Sequence, residues 1–200
     1  QISVTEETPD VYRRFLGGRG LNQFCLYNRA EPTNSPFDPE NPLIFGAGLL
    51  AGTPAPSATR ISIDSKNAFS NGVGSANAGE GFSPSLKRAG YGQLLVVGKA
   101  KHPVYLLINN ESIRIEPADD SWGSYTSDTV NKLITSYGND IHIACIGPAG
   151  ENLVRGANIM INKSRAAGKC GLGAVMGAKN LKAIAVRGTG GIQVAQPDRF

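Results

Sequence analysis

The chain has 200 residues, 40% of them apolar and 18% charged, with a formal charge of +4 at neutral pH. That length suits one ordinary domain burying about two-thirds of the surface its unfolded chain would expose, and no apolar run approaches the roughly 20 residues of a membrane-spanning helix. The 20 Lys and Arg are scattered, without the basic stripe of a nucleic-acid binder, so composition points to a soluble domain with neither nucleic-acid nor membrane partners.

Three cysteines, Cys25, Cys145 and Cys170, are too few and too widely spaced for a disulfide framework or a metal motif, which suggests a reducing, cytoplasmic setting. No CxxC pair is present to seed an iron–sulfur cluster. Gln1 is followed by no basic-then-apolar leader, so no targeting peptide is expected. Glycine is the informative excess, at 25 residues, because it goes where backbone turns left-handed or comes close to a ligand or another backbone.

In chain order, Thr8-Pro9 predicts a helix start, with Thr8 as N-cap and Val11, Tyr12, Phe15 and Leu16 on one face until Gly17-Gly18 stops it. Residues 21–27 predict a second helix, ended by a turn-rich, proline-rich stretch over 31–42. Short strands are expected at 43–46, 60–63, 94–97, 104–108 and 112–116, the last two joined by an Asn109-Asn110 turn. Residues 126–137 read as a helix with a polar cap and a Gly138 stop.

The last quarter predicts a strand at 141–146, a turn at 147–150, a strand near 154–161, a glycine-rich helix start over 165–177 and a strand at 181–186. Strands and helices mix without regular alternation, so the expected fold class is α+β, with mixed sheets and short helices. The domain is expected to span residues 1–188, and 189–200 reads as a linker running into further domains of a longer protein.

An internal echo bears on architecture. Asn77-Ala-Gly79, a helical stretch through Leu86 and a strand ending at Val97-Gly98 resemble Ala166-Ala-Gly168, a helical stretch through Met176 and a strand ending near Gly188. Each copy follows a strand and a glycine turn, which predicts two related halves facing each other across a pseudo-two-fold axis.

The same two segments, 72–81 and 165–173, read as glycine-rich helix starts whose backbone N–H groups suit phosphate oxygens. Facing halves would then offer paired anion sites, bridged by a divalent cation on oxygen ligands such as the Asn77 side chain. The candidate cofactor residues are Arg60, Asn77, Ala78, Gly79, Arg165, Ala166, Gly168, Gly171 and Gly173. For any single glycine, strand-to-helix packing accounts for it as well as ligand contact does. Neither G-x-G-x-x-G nor a Walker A is present, so a generic phosphate- or nucleotide-binding module stands as the alternative. Arg60 ends a small-residue loop, where its planar fork of donors fits a phosphate or a planar polar edge, with a surface ion pair as the alternative reading. His102, His142, Glu80 and Glu151 form no catalytic constellation, so no catalytic residue is assigned.

Taken in order, several segments resemble the N-terminal domain of the aldehyde ferredoxin oxidoreductase family: Phe15-Leu-Gly-Gly-Arg-Gly-Leu21, Gly46-Ala-Gly-Leu-Leu-Ala-Gly-Thr-Pro-Ala-Pro56, Leu86-Lys-Arg-Ala-Gly-Tyr91, Ile146-Gly-Pro-Ala-Gly-Glu-Asn-Leu153 and Gly173-Ala-Val-Met-Gly-Ala-Lys-Asn-Leu181. The resemblance implies a floor for a bis-molybdopterin cofactor carrying tungsten or molybdenum. It implies that Arg60 is the pterin-contacting arginine, and that magnesium between the pterin phosphates is held by the Asn77 side chain and the Ala166 carbonyl. It also implies oxidation of aldehydes to carboxylic acids under anaerobic conditions, with ferredoxin as electron acceptor, a [4Fe-4S] cluster on residues outside this chain, and a possible homodimer. The family has a branch that reduces aromatic acyl-CoA rings, so the fold leaves the substrate open. The isolated domain is expected to be inactive.

Overall fold

The computed structural model describes residues 1–199; Phe200, the last residue of the expected linker, lies outside the described residues. The first half runs α1 (Pro9–Phe15), α2 (Gly18–Arg29), β1 (Leu43–Ala47), β2 (Ile61–Lys66), β3 (Val73–Ala78), α3 (Phe82–Arg88) and β4 (Gln93–Val96). The second runs β5 (Val104–Asn109), β6 (Ser112–Pro117), α4 (Thr126–Tyr137), β7 (His142–Cys145), α5 (Pro148–Glu151), β8 (Ile159–Ile161), β9 (Arg165–Ala167), α6 (Leu172–Ala178) and β10 (Leu181–Arg187). The α+β expectation holds.

The sheet orders bear out the internal echo. One sheet runs β3-β2-β1-β4 and the other β6-β5-β10-β7-β8-β9, so its last four strands read from the edge inward as β9-β8-β7-β10. Every pairing within the two four-strand units is antiparallel, and α3 and α6 occupy the same place in each, between the edge strand and the fourth strand. The β5–β6 hairpin is an addition to the second unit, joined through a parallel pairing, β5 with β10.

Apolar alternation decides the layering. Phe45, Ile61, Ile63 and Ala78 from the first sheet and Ala144, Ile146, Ile159 and Ile184 from the second form one buried cluster with Phe82, Leu86, Leu172, Val175 and Met176. The helices α3 and α6 therefore lie between the sheets. All seven residues of α6 are buried, as a helix that is apolar all round must be; Leu172, Val175 and Met176 contribute about 1.5–3 kcal/mol each. On the outer faces, α2 packs on β1 and β2, while α4 covers β7 through Val130 and Leu133 against Ile143, Cys145 and Ala185.

A buried ion pair closes the second unit. The Lys182 ammonium meets Glu151, with side-chain exposures of 1% and 3%, and also donates to the Ser124 carbonyl at 2.8 Å. Glu151 accepts the Gly123 N–H at 2.7 Å, so its acid character serves a loop anchor.

Several local expectations are corrected. Thr8 precedes α1 but its side chain caps nothing, and left-handed Leu16 (φ 64°) ends that helix through its N–H to the Tyr12 carbonyl. The chain re-enters helix at Gly18, ahead of the expected residue 21. The hairpin loop is Asn110-Glu111, one residue on, because Asn109 pairs with Ser112. Residues 154–157 turn after α5, with the Ala157 N–H on the Val154 carbonyl, and shorten the expected strand to β8. The start of the expected linker is pinned: Thr189 N–H bonds Asn110 Oδ1 at 2.9 Å and Gly190 N–H bonds the Arg88 carbonyl at 3.1 Å.

Candidate cofactor-binding site

The largest correction falls on the two glycine-rich segments. Residues 73–78 and 165–167 are strands, and the helices begin later, at Phe82 and Leu172. Small residues here serve close approach of elements: within β3, a Cβ on Gly74 would lie 3.1 Å from the Cys170 Cβ. The expected pair of helix N-termini is therefore replaced by a pair of sheet edges, β3 and β9, whose outward backbone groups lie free of the ladders.

These two edges are neighbours. Cys170, just beyond β9, bonds the Ser75 carbonyl of β3 through Sγ at 3.7 Å, and its own carbonyl accepts the Ala68 N–H at 3.0 Å. At the other end Ser164 Oγ donates to Glu80 Oε2 at 3.4 Å. The strands that carry Asn77 and Ala166 are thus tied together at both ends.

Within them the candidate residues hold equivalent positions. Asn77 stands opposite Ser62, in a row continuing to Gly46 and Gln93; Ala166 stands opposite Met160, in a row continuing to Cys145 and Ala183. Both rows belong to outer sheet faces, because the alternating partners Ala76, Ala78 and Ala167 point into the shared core. Arg60, exposed just before β2, donates from Nη1 to Asn77 Oδ1. Arg165, Ala166 and Gly168 are exposed, Gly79 is half-buried and Ala78 is buried.

The glycines divide into two kinds. A Cβ at Gly79 or Gly168 would make only ordinary contacts, at 3.8 Å and 3.7 Å. At Gly171 (φ +65°) it would lie 1.8 Å from the Arg155 carbonyl oxygen, and at Gly173 2.5 Å from that of Asn158. Packing therefore accounts for Gly171 and Gly173, while Gly79 and Gly168 have room for a Cβ, so packing does not require glycine there.

The chemistry of the edge is oxygen donors among cations. Arg60, Lys163, Arg165 and Lys169 are all exposed, and Glu80 is the acid beside them. Lys163 and Lys169 were missed from sequence; their signal was two basic residues flanking Arg165 within one glycine-containing segment. Among the described residues no group of three or more His, Cys, Asp or Glu could hold a metal ion, so a cation here would rest on amide and carbonyl oxygens, a set that suits magnesium. No helix among the described residues is long and apolar enough to cross a membrane.

A second feature missed from sequence lies on the outer face of the first sheet, one cross-strand pair along from Asn77 and Ser62. Asp64 is fully buried there; its carboxylate accepts from Asn22 Nδ2 at 2.7 Å and from Gln23 Nε2 at 2.6 Å, and Gln93 Nε2 donates to Asn22 Oδ1 at 2.8 Å. Burial pushes the Asp64 carboxyl up, opposed by these donors and by Arg19. In the alternating run Ile61-Ser-Ile-Asp64 the polar phase reads as solvent-facing, and only the docking of α2 buries it.

The sequence profile of the aldehyde ferredoxin oxidoreductase N-terminal domain matches residues 1–188. The chain belongs to the aldehyde ferredoxin oxidoreductase family. It is 44% identical over 201 residues to the tungsten-containing aldehyde ferredoxin oxidoreductase of Pyrococcus horikoshii, covering 99% of this chain and 33% of that protein. Against the WOR-like subunit of the aliphatic sulfonate oxidoreductase of Pyrococcus furiosus it is 36% identical, over 95% of this chain and 33% of the relative. Among solved structures, the active-site complex BamBC of benzoyl coenzyme A reductase, bound to 1,5-dienoyl-CoA, superposes with a TM-score of 0.95 at 37% identity, over 98% of this chain and 30% of that one. The chain thus spans about a third of the length of these oxidoreductases, at their N-terminal domain.

Proposed function

We propose that the rim where β3 meets β9 is the floor on which a bis-molybdopterin cofactor, carrying tungsten or molybdenum, is laid in an aldehyde-oxidising enzyme. The observation that carries this reading is the convergence of two topologically equivalent positions, Asn77 and Ala166, at one cation-rich edge that offers oxygen donors. A cofactor with two phosphate-bearing arms matches a duplicated half-site, and the tungsten-containing names of the relatives agree with it.

When bound, the metal–pterin would supply the two-electron chemistry that converts an aldehyde to a carboxylic acid. The residues of this chain bind and orient. Arg60, Arg165, Lys163 and Lys169 neutralise phosphate charge. Asn77 Oδ1, held by Arg60 in the structure described, would turn to magnesium together with the Ala166 carbonyl, leaving the Arg60 fork for phosphate or the pterin edge. Gly79 and Gly168 leave the backbone approachable. In this reading a [4Fe-4S] cluster on residues outside this chain passes electrons to ferredoxin, in a cytoplasmic, oxygen-sensitive, homodimeric enzyme.

A second reading, reduction of an aromatic acyl-CoA ring on the same floor, is favoured by the TM-score of 0.95 to the benzoyl coenzyme A reductase complex. The test is anaerobic purification of the protein that carries this chain, followed by metal analysis and fluorescence of the extracted pterin. Tungsten or molybdenum with pterin is expected, and Arg60→Ala should lower both contents while leaving the fold intact, since an exposed loop-end charge contributes little to the core. Metal- and pterin-free protein, or saturable ATP or NAD binding in its place, refutes the floor. Turnover of aldehydes against aromatic acyl-CoA separates the two enzymatic readings.

A further inference from the structure

On the far side of the 79–81 loop a cleft of about 240 Å³ opens between the last turn of α3, the start of β7 and the end of β10. Its lining includes Gly81, Arg88, Asp140, His142, Arg187 and Thr189. No role described above uses it.

The polar atoms around this cleft are mainly unused donors. Arg187 gives Nη2 to Asp140 and to the Tyr137 carbonyl, but its Nε is buried without a partner among the described residues. Arg88 is in no ion pair among the described residues; its backbone carbonyl, not its guanidinium, holds Gly190. Asn162 Oδ1 accepts the Ile143 N–H at 2.9 Å, so its Nδ2 is the donor facing His142 Nδ1 at 3.2 Å. That bond fixes the neutral ring with its proton on Nε2, which has no partner among the described residues. The hydroxyls are already engaged, Ser85 with the Val186 carbonyl and the Gly188 N–H, Thr189 with Asn110.

Two carboxylates stand beside the two guanidinium groups: Asp140, held below its usual range by the Arg187 hydrogen bond, and Glu80, which approaches His142 from the 79–81 loop and accepts from Ser164. With Arg187 already on Asp140, Arg88 is the cation left for a ligand. The volume lies under the roughly 300 Å³ of the smallest drug-sized pockets, so one compact group fills it. Two guanidinium groups and an imidazole N–H are all donors; a guanidinium fork suits carboxylate or phosphate, and the three acceptor oxygens of a phosphoryl group can be shared among three donors on different elements.

We propose that the cleft between α3, β7 and β10 is a second anion site that receives a phosphoryl group, separate from the rim at Asn77. It can take that group as free phosphate or as the phosphate ester of a larger molecule. The experiment titrates the purified holoprotein that carries this chain with orthophosphate and with methyl phosphate at constant ionic strength, reading the ring nitrogen and proton resonances of His142 by NMR after selective histidine labelling. Saturable shifts with orthophosphate alone mark a free-ion site, and shifts with both mark a site open to esters; either supports the proposal. Arg88→Gln, at an exposed side chain, should weaken the binding at least about tenfold through loss of a charge-assisted contact. Arg60→Ala should leave it unchanged, because Arg60 belongs to the other rim. Shifts that chloride reproduces, that persist in Arg88→Gln, or that vanish in Arg60→Ala overturn the proposal. The last of these results would assign the phosphate to the Asn77 rim and leave the cofactor reading standing.

Discussion

Gly173→Ala and Gly168→Ala separate the two roles that glycine plays around the candidate site. In α6, a Cβ at Gly173 would sit 2.5 Å from the Asn158 carbonyl oxygen and 2.8 Å from the Ala157 backbone. Backbone cannot move aside as a side-chain end can, so overpacking should cost about 2–3 kcal/mol or more. Against it stands a gain of up to about 1 kcal/mol from Ala replacing Gly inside a helix. The net is a loss of about 1–2 kcal/mol, or roughly 2–8 °C in Tm for a domain of this size. At Gly168 the nearest atom is the Asn158 side chain at 3.7 Å, so Ala fits and stability should change by less than about 0.5 kcal/mol. Thermal unfolding by circular dichroism measures both, and cofactor content of the holoenzyme gives the converse: Gly168→Ala should lower it without lowering Tm. A Gly173→Ala protein as stable as its parent, or a Gly168→Ala protein equally destabilised, would refute the assignment of one glycine to packing and the other to the site.

Lys182→Met leaves Glu151 buried without its cation and should cost about 3–5 kcal/mol in urea unfolding. Adding Glu151→Leu should recover most of that loss, short of about 0.5–1.5 kcal/mol for the hydrogen bond lost to the exposed Gly123 N–H; a double variant no better than the single would reject the pair. Lys179, nearly buried with Nζ on the Pro39 and Gly98 carbonyls, is pushed down to about 8 by burial. The unfolded chain binds that proton more tightly, so stability should rise with pH between about 8 and 10.5. Lys179→Met should remove the rise, and a parent protein whose stability is flat or falling across that window counts against it.

What was legible in the sequence follows from local physics. The helix at Thr126–Tyr137 matches its amphipathic period to the residue, with Val130 and Leu133 inward and Gly138 at φ 95° ending it. The apolar, β-branched runs marked β1, β2, β4, β5, β6, β7 and β10, and the repeated spacing around Asn77 and Ala166 marked the duplication that the sheet orders display. Those signals need only neighbours in the chain.

What only the tertiary structure decided depends on partners far along it. Residues 73–78 and 165–167 carry glycine, alanine and serine that read locally as helix starts, and they are strands because β2 and β8 supply ladders that outweigh weak propensity. Gly173 reads like Gly168 in one dimension; only the Asn158 carbonyl against it shows that it packs. Asp64 occupies the polar phase of its strand until α2 closes over it, and Arg88, His142 and Arg187 meet around one cleft only because α3 lies between the sheets. Burial and convergence are properties of chain segments brought together, and no local pattern encodes them.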